Sequence, residues 1–410
     1  MNLNKTFFAD PAKKIKISYA DFIDDIKSAK YFRKVFYSDF PYDYFKQIVL
    51  AALSGGSIVL ADKAPENIKG KSDSFLQGNL EEPCGADISN LSGMEDILGK
   101  LKAAKNFSIG LFTSGTAGLP KMICHNFRSL ARSVKIAPVH SEDVWAFAYA
   151  PAHMAGIQVF FQALMNANTI VNVFGLPRDD VLRAVEALNI THISATPTFF
   201  RGLLPPSKPL ESVVRITSGG EAFDAKTIAN LKKMFVRAKT ANIYASTEAG
   251  SLLVSEGEFF KIPPEMKDAI KIEAGELLIH KSLLGESLSA TGNPWFRTGD
   301  MVELAENGLF RFVSRLDGIV NSGGYKVNPL EVEAALRSIS GIAEARVYGK
   351  KNRLLGEILC ADIVSNDKSL DEASLRIALK NSLQNFKIPR IFNFVDSIEL
   401  TRTGKISRKL

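Results

Sequence analysis

Glycine and hydroxyl residues are concentrated between Thr113 and Lys121, directly after an apolar run at 107–112. Such residues let backbone N–H groups and side-chain hydroxyls approach phosphate oxygens, and a lysine ammonium adds a positive charge. The candidate phosphate ligands of this loop are Thr113, Ser114, Gly115, Thr116, Gly118 and Lys121. The Gly-x2-Gly-x2-Lys spacing, with Met122 after the lysine, differs from the Walker A motif. The loop therefore indicates phosphate binding of another type, with a glycine-rich turn that holds no ligand as the alternative.

Six further segments combine hydroxyl, charged or aromatic residues in order along the chain, and five of the six contain glycine. They are Ser218-Gly219-Gly220-Glu221, Tyr244-Ala245-Ser246-Thr247-Glu248, Phe296-Arg297-Thr298-Gly299-Asp300, Ser314-Arg315-Leu316-Asp317-Gly318, Ser322-Gly323-Gly324-Tyr325-Lys326 and Thr401-Arg402-Thr403-Gly404-Lys405-Ile406. With the loop, they resemble the superfamily of acyl-CoA synthetases, peptide-synthetase adenylation domains and luciferases. The resemblance covers roughly residues 107–410, and a series of ordered matches is far more specific than one motif.

The resemblance implies an α/β fold with two unequal parts. A large N-terminal layered α/β adenylate-forming domain, residues 1–316, would be followed by a small mobile α+β C-terminal domain, residues 317–410, with the hinge at Asp317. In the first half-reaction of such enzymes, an acid and ATP form acyl-AMP and pyrophosphate. The C-terminal domain then turns and presents Gly323 and Gly324, which would let a pantetheine arm pass close to the backbone.

The resemblance assigns Tyr244, Asp300 and Arg315 to the nucleoside end of ATP. Tyr244 would stack on adenine, Asp300 would accept hydrogen bonds from the ribose hydroxyls, and Arg315 would reach the ribose or a phosphate. Their ordinary alternatives are a core tyrosine, an Asx turn and a surface charge. A slot between adenine and the acyl chain would be lined by Ser218, Gly219, Gly220 and Glu221.

Four residues are assigned to the reacting groups by the same resemblance. Thr247 would donate a hydrogen bond to the α-phosphate, and Glu248 would hold Mg²⁺, a hard cation that prefers oxygen ligands. Lys405 would lie between the carboxylate and the α-phosphate, two anions whose approach a cation favours. His153 would form a wall or gate of the acyl pocket. Taken singly, Glu248 would be a solvated acid, Lys405 a mobile lysine and His153 a core histidine. His125 is expected only to begin a helix.

Three departures from the family pattern accompany the matches. Ala117 replaces a threonine of the phosphate loop, which removes one possible hydrogen bond to phosphate. Ala245 replaces the glycine after the adenine-stacking tyrosine and should narrow the slot slightly. The segment before the loop is shorter than in most members, so we expect an abbreviated first subdomain. None of these departures removes a catalytic group.

Residues 319–333 are most similar to the CoA-forming branch, especially the o-succinylbenzoate–CoA ligases of menaquinone synthesis. This similarity predicts an AMP-forming acid–thiol ligase that uses ATP, Mg²⁺ and CoA, or the phosphopantetheine of a carrier protein. The substrate of that branch keeps a second carboxylate, for which Arg201 is a candidate cation.

Two alternatives stay open at this point. One is a stand-alone adenylation enzyme that loads an acyl or aryl acid onto an acyl carrier protein. Amino acids are disfavoured as its substrate, because residues 152–157 contain no aspartate to hold an α-amine. The other is a nucleotide-binding regulator without catalysis, which the presence of both Glu248 and Lys405 disfavours.

The elements that must position these residues alternate between strands and helices, which is typical of α/β layering. Apolar runs predict strands at 107–112, 144–150, 169–174, 191–195, 213–218 and 240–245. After Pro177, the spacing of Val181, Ala184, Val185 and Leu188 predicts a helix with one buried stripe.

The pattern changes beyond Arg315. Asn328 as a cap and Pro329 as the first residue predict a helix, whose stripe is Val332, Ala335, Leu336 and Ile339. Strands at 344–349 and 356–364, a helix at 369–384 and a strand at 391–396 are predicted to follow.

Composition restricts the class of protein further. The 410 residues carry a net charge of +7, but basic residues are scattered among 44 acidic ones, so nucleic acid is not an expected partner. The three cysteines form no CxxC pair, which fits a reducing compartment. The uncharged stretch from Val144 to Pro177 is interrupted by proline, histidine and amides, so we expect no membrane span and a cytoplasmic protein.

Overall fold

The computed structural model describes residues 2–62, 81–85, 88–113, 121–206, 208–221, 223–289, 292–322, 325–352, 356–401 and 405–407. Its strands are β1 (Thr6–Asp10), β2 (Ile15–Ser18), β3 (Tyr31–Arg33), β4 (Val35–Phe36), β5 (Ser57–Leu60), β6 (Glu81–Pro83), β7 (Ser108–Thr113), β8 (Lys121–Asn126), β9 (Val144–Phe147), β10 (Thr169–Asn172), β11 (His192–Ala195), β12 (Arg215–Gly219), β13 (Lys239–Ser246), β14 (Gly250–Ser255), β15 (Phe260–Lys261), β16 (Ile270–Glu273), β17 (Glu276–His280), β18 (Trp295–Leu304), β19 (Leu309–Arg315), β20 (Val320–Ser322), β21 (Tyr325–Val327), β22 (Ile342–Asn352), β23 (Gly356–Ser365) and β24 (Ile391–Phe394). Its helices are α1 (Tyr19–Lys27), α2 (Pro41–Leu53), α3 (Met94–Ala103), α4 (Phe127–Leu130), α5 (Met154–Met165), α6 (Arg178–Ala187), α7 (Pro197–Gly202), α8 (Ala225–Met234), α9 (Glu286–Ser289), α10 (Pro329–Ser338) and α11 (Glu372–Lys380).

An eight-stranded sheet in the order β14-β13-β12-β11-β9-β10-β1-β2 is the largest layer. Its strands from β13 to β1 are parallel, and β14 and β2 pair antiparallel at the two edges. The helices α5, α6, α7 and α8 connect successive parallel strands. In such a sheet the carboxyl ends of the strands meet at one edge, where the connecting loops can form a binding site.

A four-stranded sheet, β4-β5-β7-β8, packs beside the first through an aromatic core. Phe45 of α2 and Phe160 of α5 stack there, with ring centroids 4.5 Å apart and an interplanar angle of 5°. Phe147 of β9 meets the edge of Phe45 at 5.1 Å. Large buried rings remove much apolar surface from water, so this cluster is a main source of stability for both sheets. It also includes Ile109 and Leu111 of β7, the strand that leads into the predicted phosphate loop.

A five-stranded antiparallel sheet, β15-β19-β18-β17-β16, follows in the chain. Asp300 of β18 and Arg315 of β19 are directly opposite each other in its register. The sheet therefore brings together two residues of separate sequence motifs.

The last sheet uses strands from β20 onward, in the order β21-β20-β23-β22, with β24 parallel to β23. The helices α10 and α11 pack on it around a separate core that includes Val332, Leu336 and Leu375. The Asn328 side chain accepts a hydrogen bond from the Leu330 N–H, and Pro329 opens α10, as the sequence predicted. The domain boundary at 316/317 falls in the turn Leu316–Gly318 and stays a prediction.

The predicted strands and helices of residues 107–245 and 328–394 are present, with ends that differ by a few residues. The prediction for His125 was wrong, because it lies within β8 and the following helix begins at Phe127. The stretch from Val144 to Pro177 forms β9, α5 and β10. Over the residues described above, no helix has both the length and the apolar character needed to span a membrane.

Candidate active site

The carboxyl ends of β12 and β13 form the floor of the candidate site. Gly219 lies so close to β13 that a Cβ atom there would be 2.8 Å from the Ile243 carbonyl oxygen. Only glycine permits this approach, so the Ser218–Glu221 segment is held against β13. The Ser218 hydroxyl is fully buried and has no hydrogen-bond partner in the described part of the chain. A buried hydroxyl without a partner is costly to stability.

Tyr244 joins this floor to the antiparallel sheet. Its hydroxyl donates a 2.7 Å hydrogen bond to Oδ2 of Asp300, and one face of its ring stacks on Phe312 at 4.4 Å. The opposite ring face is the one that could receive an adenine. Burial and the adjacent Asp300 carboxylate raise the pKa of Tyr244 well above its usual value, so the phenol stays protonated and donates.

Asp300 also accepts a 2.9 Å hydrogen bond from Nη1 of Arg315 at its other oxygen, Oδ1. A carboxylate accepts hydrogen bonds at both oxygens, which makes Asp300 a suitable type of group to bind ribose hydroxyls. The structure thus brings together Tyr244, Asp300 and Arg315, which come from three of the sequence motifs.

Lys405 reaches the same floor from the far end of the sequence. A Cβ atom on Gly220, whose φ is +84°, would lie 2.9 Å from Cε and 3.0 Å from Nζ of Lys405. The positive φ favours glycine at position 220, and a side chain there would also displace the end of the Lys405 side chain. Burial lowers the pKa of the Lys405 ammonium and Arg315 adds to this effect, while the carboxylates of Glu221, Asp300 and Glu248 oppose it.

Glu221 connects the Lys405 segment to α7. One oxygen accepts hydrogen bonds from the N–H and the hydroxyl of Thr198, at 3.1 and 2.6 Å. The other accepts a 3.3 Å bond from the N–H of Ile406, next to Lys405. The Glu221 carboxylate thus fixes the lysine segment relative to the floor of the site. The sequence had predicted only that Glu221 lines the slot.

Thr247 and Glu248 lie in the turn between β13 and β14. The Thr247 carbonyl accepts a 2.7 Å hydrogen bond from Nε2 of His125, and the Glu248 carbonyl accepts one of 2.8 Å from the Gly285 N–H. The backbone of the turn is therefore held by β8 and by the loop before α9. The charge of the Glu248 carboxylate acts on both Lys405 and His125, which places it within the site. A carboxylate here is the kind of ligand that Mg²⁺ binds.

His125 is a positioning residue that the sequence did not reveal. It is fully buried, and its Nδ1 lies 2.9 Å from the hydroxyl of Ser129. Because Nε2 faces a carbonyl it must carry the proton, so Nδ1 accepts from Ser129. Burial lowers the pKa of His125 and keeps this neutral form. A histidine within a β-strand pattern gives no sign of such a distant partner.

The ends of the predicted phosphate loop face each other across a hairpin. Thr113 of β7 and Lys121 of β8 are register partners, with the loop between them. The predicted ligands Ser114, Gly115, Thr116 and Gly118 lie outside the described residues, as do Gly323 and Gly324. The β8 strand that follows the loop carries His125, which contacts the Thr247 carbonyl.

His153 immediately precedes α5, and the charge of Lys405 affects the pKa of its ring. Burial of the ring, followed by the Lys405 ammonium, lowers the pKa of His153 to about 4, while Asp62 acts in the opposite direction. At neutral pH the imidazole is therefore uncharged, which suits a wall of an acyl pocket better than a cationic substrate anchor.

Arg201 has its guanidinium paired with protein groups. Nε donates a 2.7 Å bond to Glu344 of β22, and Nη2 donates a 2.8 Å bond to the Thr198 hydroxyl. Glu221 lies 3.9 Å away. In this arrangement Arg201 joins α7 to the C-terminal sheet, and we do not retain it as a candidate for a substrate carboxylate.

Two family models match the chain. The model of the AMP-binding enzymes matches residues 100–276, and the model of their C-terminal domain matches residues 331–405. Together the matches take in more than half of the sequence and contain most of the residues that meet in the site.

Several curated proteins resemble the chain at modest identity. The 2-succinylbenzoate–CoA ligase of Bacillus licheniformis is 25% identical, over 73% of this chain and 68% of that protein. The 3-[(3aS,4S,7aS)-7a-methyl-1,5-dioxo-octahydro-1H-inden-4-yl]propanoyl:CoA ligase of Rhodococcus jostii is 29% identical, over 73% of this chain and 64% of that protein. Surfactin synthase subunit 2 of Bacillus subtilis is 26% identical over 75% of this chain, which corresponds to only 10% of that synthase.

Solved structures show the same fold. The o-succinylbenzoate CoA synthetase of Bacillus subtilis, in complex with its acyl-adenylate intermediate, has a TM-score of 0.70 and 19% identity, covering 100% of this chain and 95% of that one. ATP-bound MatB of Rhodopseudomonas palustris has a TM-score of 0.72 and 18% identity, covering 99% and 94%.

Proposed function

Because this chain belongs to the acyl-adenylate-forming superfamily of AMP-binding enzymes, we propose that it activates a carboxylic acid with ATP and transfers the acyl group to CoA. One observation carries the proposal. Lys405, far from the other motifs in sequence, lies against Gly220 and within the electrostatic reach of Asp300 and Glu248. A cation in a cleft with nucleoside-binding and metal-binding side chains is suited to joining two anions.

In the first step, a carboxylate oxygen attacks the α-phosphorus of ATP. An O–P bond forms between the carboxylate and the α-phosphorus, the bond from the α-phosphorus to the bridging oxygen breaks, and pyrophosphate leaves with the electron pair. Tyr244, Asp300 and Arg315 hold the nucleoside, and Thr247 orients the α-phosphate. The Lys405 ammonium neutralises the charge that the attacking and leaving oxygens share. Mg²⁺, held by Glu248, would supply further charge neutralisation at the phosphates.

In the second step, the thiol sulfur attacks the acyl carbonyl carbon and the bond to AMP breaks. AMP leaves with the electron pair, and the thiol proton passes to solvent or a base. We propose that residues 317–410 act as the mobile C-terminal domain, which turns about Asp317 to bring Gly323 and Gly324 to the acyl-AMP. We assign the described arrangement, in which Lys405 lies beside Gly220, to the first step. Closure around the intermediate would limit its hydrolysis.

The acid we propose is o-succinylbenzoate or a related aryl or fatty acid. Support comes from similarity to the 2-succinylbenzoate–CoA ligases and other named CoA ligases. A cytoplasmic location accompanies this proposal, since Cys84, Cys124 and Cys360 are free thiols, as is usual in a reducing compartment.

Pyrophosphate exchange with a panel of acids tests the first step. We expect exchange with one acid class in the wild type and a loss of about 10²–10³-fold in Lys405→Ala, the effect of removing one electrostatic catalyst. Lys368→Ala is the matched control, because Lys368 is an exposed lysine of the C-terminal region. Full exchange in Lys405→Ala would refute the role assigned to Lys405. Absence of exchange by the wild type with every acid of the panel would favour the nucleotide-binding regulator.

A second experiment identifies the thiol that accepts the acyl group. The wild type is supplied with its acid, MgATP and either CoA or a holo-acyl carrier protein, and the thioester is detected by mass spectrometry. We expect acyl-CoA. Transfer to the carrier alone would instead support the second candidate, a stand-alone adenylation enzyme, which the likeness to a surfactin synthase subunit favours.

A further inference from the structure

Three side chains that bind metals in proteins meet away from the candidate active site. They are His140, Asp143 and His192, and one ligand atom of each lies within 4.8 Å of the other two. His192 is the first residue of β11, and Asp143 immediately precedes β9, its parallel neighbour. The cluster therefore lies at the amino ends of the strands, at the edge opposite to the Ser218–Glu221 segment.

The spacing of the ligand atoms fits a small cation. Oδ2 of Asp143 lies 2.9 Å from Nδ1 of His140 and 3.5 Å from Nε2 of His192. Bonds of about 2.0–2.2 Å in a tetrahedral zinc site place the ligand atoms roughly 3.3–3.5 Å apart. The distance between Asp143 and His192 already matches this spacing. The 2.9 Å distance between Asp143 and His140, and the separation of the two histidines of at most 4.8 Å, would adjust when an ion binds.

Hydrogen bonds orient His192 as a ligand. Its Nδ1 lies 2.8 Å from the Thr191 hydroxyl, which is also 2.8 Å from the Val144 N–H and 3.2 Å from the Val144 carbonyl. If Nδ1–H donates to Thr191 and Thr191 donates to the carbonyl, all of these groups are satisfied. Nε2 then presents a lone pair towards Asp143, as metal-bound histidines do.

Without a metal, Asp143 has a 2.9 Å hydrogen bond with His140, but its contact with His192 is unfavourable. With the proton on Nε2, the donor and the Asp143 oxygen are 3.5 Å apart, longer than the 2.7–3.2 Å of an N–H···O hydrogen bond. With the proton on Nδ1, a lone pair faces a carboxylate, which is repulsive unless a cation lies between them. Asp143 and His192 are 8% and 6% exposed, so water compensates little, whereas the half-buried His140 leaves a path for entry.

We propose that His140, Asp143 and His192 bind a divalent first-row transition metal ion, with Zn²⁺ the best match, and a water molecule as the fourth ligand. Two imidazoles and one carboxylate suit Zn²⁺ better than Mg²⁺ or Ca²⁺, which prefer oxygen ligands. Arg215, the register partner of His192 on β12, opposes a cation, and the Asp143 carboxylate offsets it. The ion would tie the turn Pro138–His140 to the ends of β9 and β11, and this role is independent of the proposed ligase activity.

Titration of the full-length, chelator-treated protein with Zn²⁺ tests the site, in excess Mg²⁺ and without nucleotide. By calorimetry and elemental analysis we expect one Zn²⁺ per chain, and with Co²⁺ the intense visible bands of a tetrahedral site. Both signals should be lost in His140→Ala and in Asp143→Asn. Thr191→Val should weaken binding by about 10–100-fold, the usual effect of removing a partner of a ligating histidine.

His280→Gln is the matched control, since His280 lies on β17, outside the cluster. It should bind Zn²⁺ like the wild type and show the same metal-dependent rise in Tm. His140 lies at the surface end of its turn, so His140→Ala should fold even if substitution of the buried His192 does not. Absence of Zn²⁺ and Co²⁺ binding by the wild type would overturn the proposal. Unchanged binding in both His140→Ala and Asp143→Asn would also overturn it.

Discussion

His125 sets the position of a turn whose side chains we assign to ATP and Mg²⁺. The ring is completely buried between the Ser129 hydroxyl and the Thr247 carbonyl, and hydrogen bonds use both of its nitrogens. No part of the reaction requires His125 to exchange a proton, and burial holds its pKa below the usual value. Its effect on catalysis should therefore act through the geometry of Thr247 and Glu248.

We expect His125→Leu to raise the KM for MgATP by about 10-fold or more, because an unpaired Thr247 carbonyl costs about 1–3 kcal/mol. His125→Gln, whose amide N–H can reach the same carbonyl, should recover most of the loss. Initial rates at varied MgATP and saturating acid measure the effect, with Tm recorded for each variant. A normal KM in a well-folded His125→Leu protein would rule out the positioning role.

His153 should make stability depend on pH in a predictable direction. Its pKa is about 4 in the folded chain, against an ordinary value of 6.5. In the unfolded chain the His153 ring is protonated below about pH 6.5, whereas in the folded chain it is protonated only below about pH 4. The stability that the neutral ring contributes is thus fully present above pH 6.5 and is lost as pH falls through this window.

His153→Gln should therefore gain stability relative to the wild type on going from pH 7 to pH 5. We expect about 1 kcal/mol after allowance for partial exposure of the ring, or ~2 °C in the difference of Tm. Differential scanning calorimetry at both pH values measures this quantity. A difference in Tm that does not change with pH would mean that the ring protonates freely in the folded protein.

At the scale of elements, the close approach of β12 and β13 shapes the nucleotide slot. Gly219 leaves no room for a side chain, because the Ile243 carbonyl would be 2.8 Å from its Cβ. A backbone atom in a paired strand cannot move aside as a flexible side chain can. The strands must therefore separate if position 219 gains a methyl group.

Gly219→Ala should lower the affinity for ATP by about 10-fold or more and destabilise the chain by about 1–3 kcal/mol, the usual cost of overpacking. Gly99→Ala is the matched control. Gly99 is an exposed residue within α3 with open space at its Cβ position, so alanine should stabilise the helix by about 0.5–1 kcal/mol. Equilibrium binding of ATP and thermal unfolding of both variants provide the comparison. Wild-type affinity in Gly219→Ala would show that the slot is wider than the structure indicates.

At the scale of the whole molecule, polar contacts help to hold the C-terminal sheet in the position at which Lys405 lies beside Gly220. Arg201 and Glu344 form a 2.7 Å ion pair, and their side chains are only 9% and 16% exposed. Lys226 adds a 2.7 Å bond to the Arg337 carbonyl. Such a contact set stabilises one orientation without fixing it, as a two-step cycle requires.

Glu344→Gln should slow acyl-AMP formation and leave acyl transfer from supplied acyl-AMP unchanged or faster. Loss of about 1–2 kcal/mol from the closed orientation corresponds to a factor of about 5–30 in its population. Glu372→Gln is the control, since Glu372 pairs with Arg376 within α11. Single-turnover assays of the two half-reactions separate the effects. Equal slowing of both half-reactions would indicate general damage rather than a shift in orientation.

The sequence alone identified the chemistry and most of the elements. Phosphate-binding loops, caps and apolar stripes are local patterns, so the strands from β7 to β13 and the cap at Asn328 could be predicted from neighbouring residues. The residues assigned to the nucleoside followed from ordered motifs, and Tyr244, Asp300 and Arg315 do meet.

Contacts between distant segments were decided only by the tertiary structure. The pairing of β1 with β10, the bond from His125 to Thr247, and the meeting of His140 and Asp143 with His192 left no local signal. Arg201 could be taken for a substrate ligand until β22 placed Glu344 beside it. Local propensity specifies a strand or a helix, but strand register and the packing of sheets determine which side chains share a site.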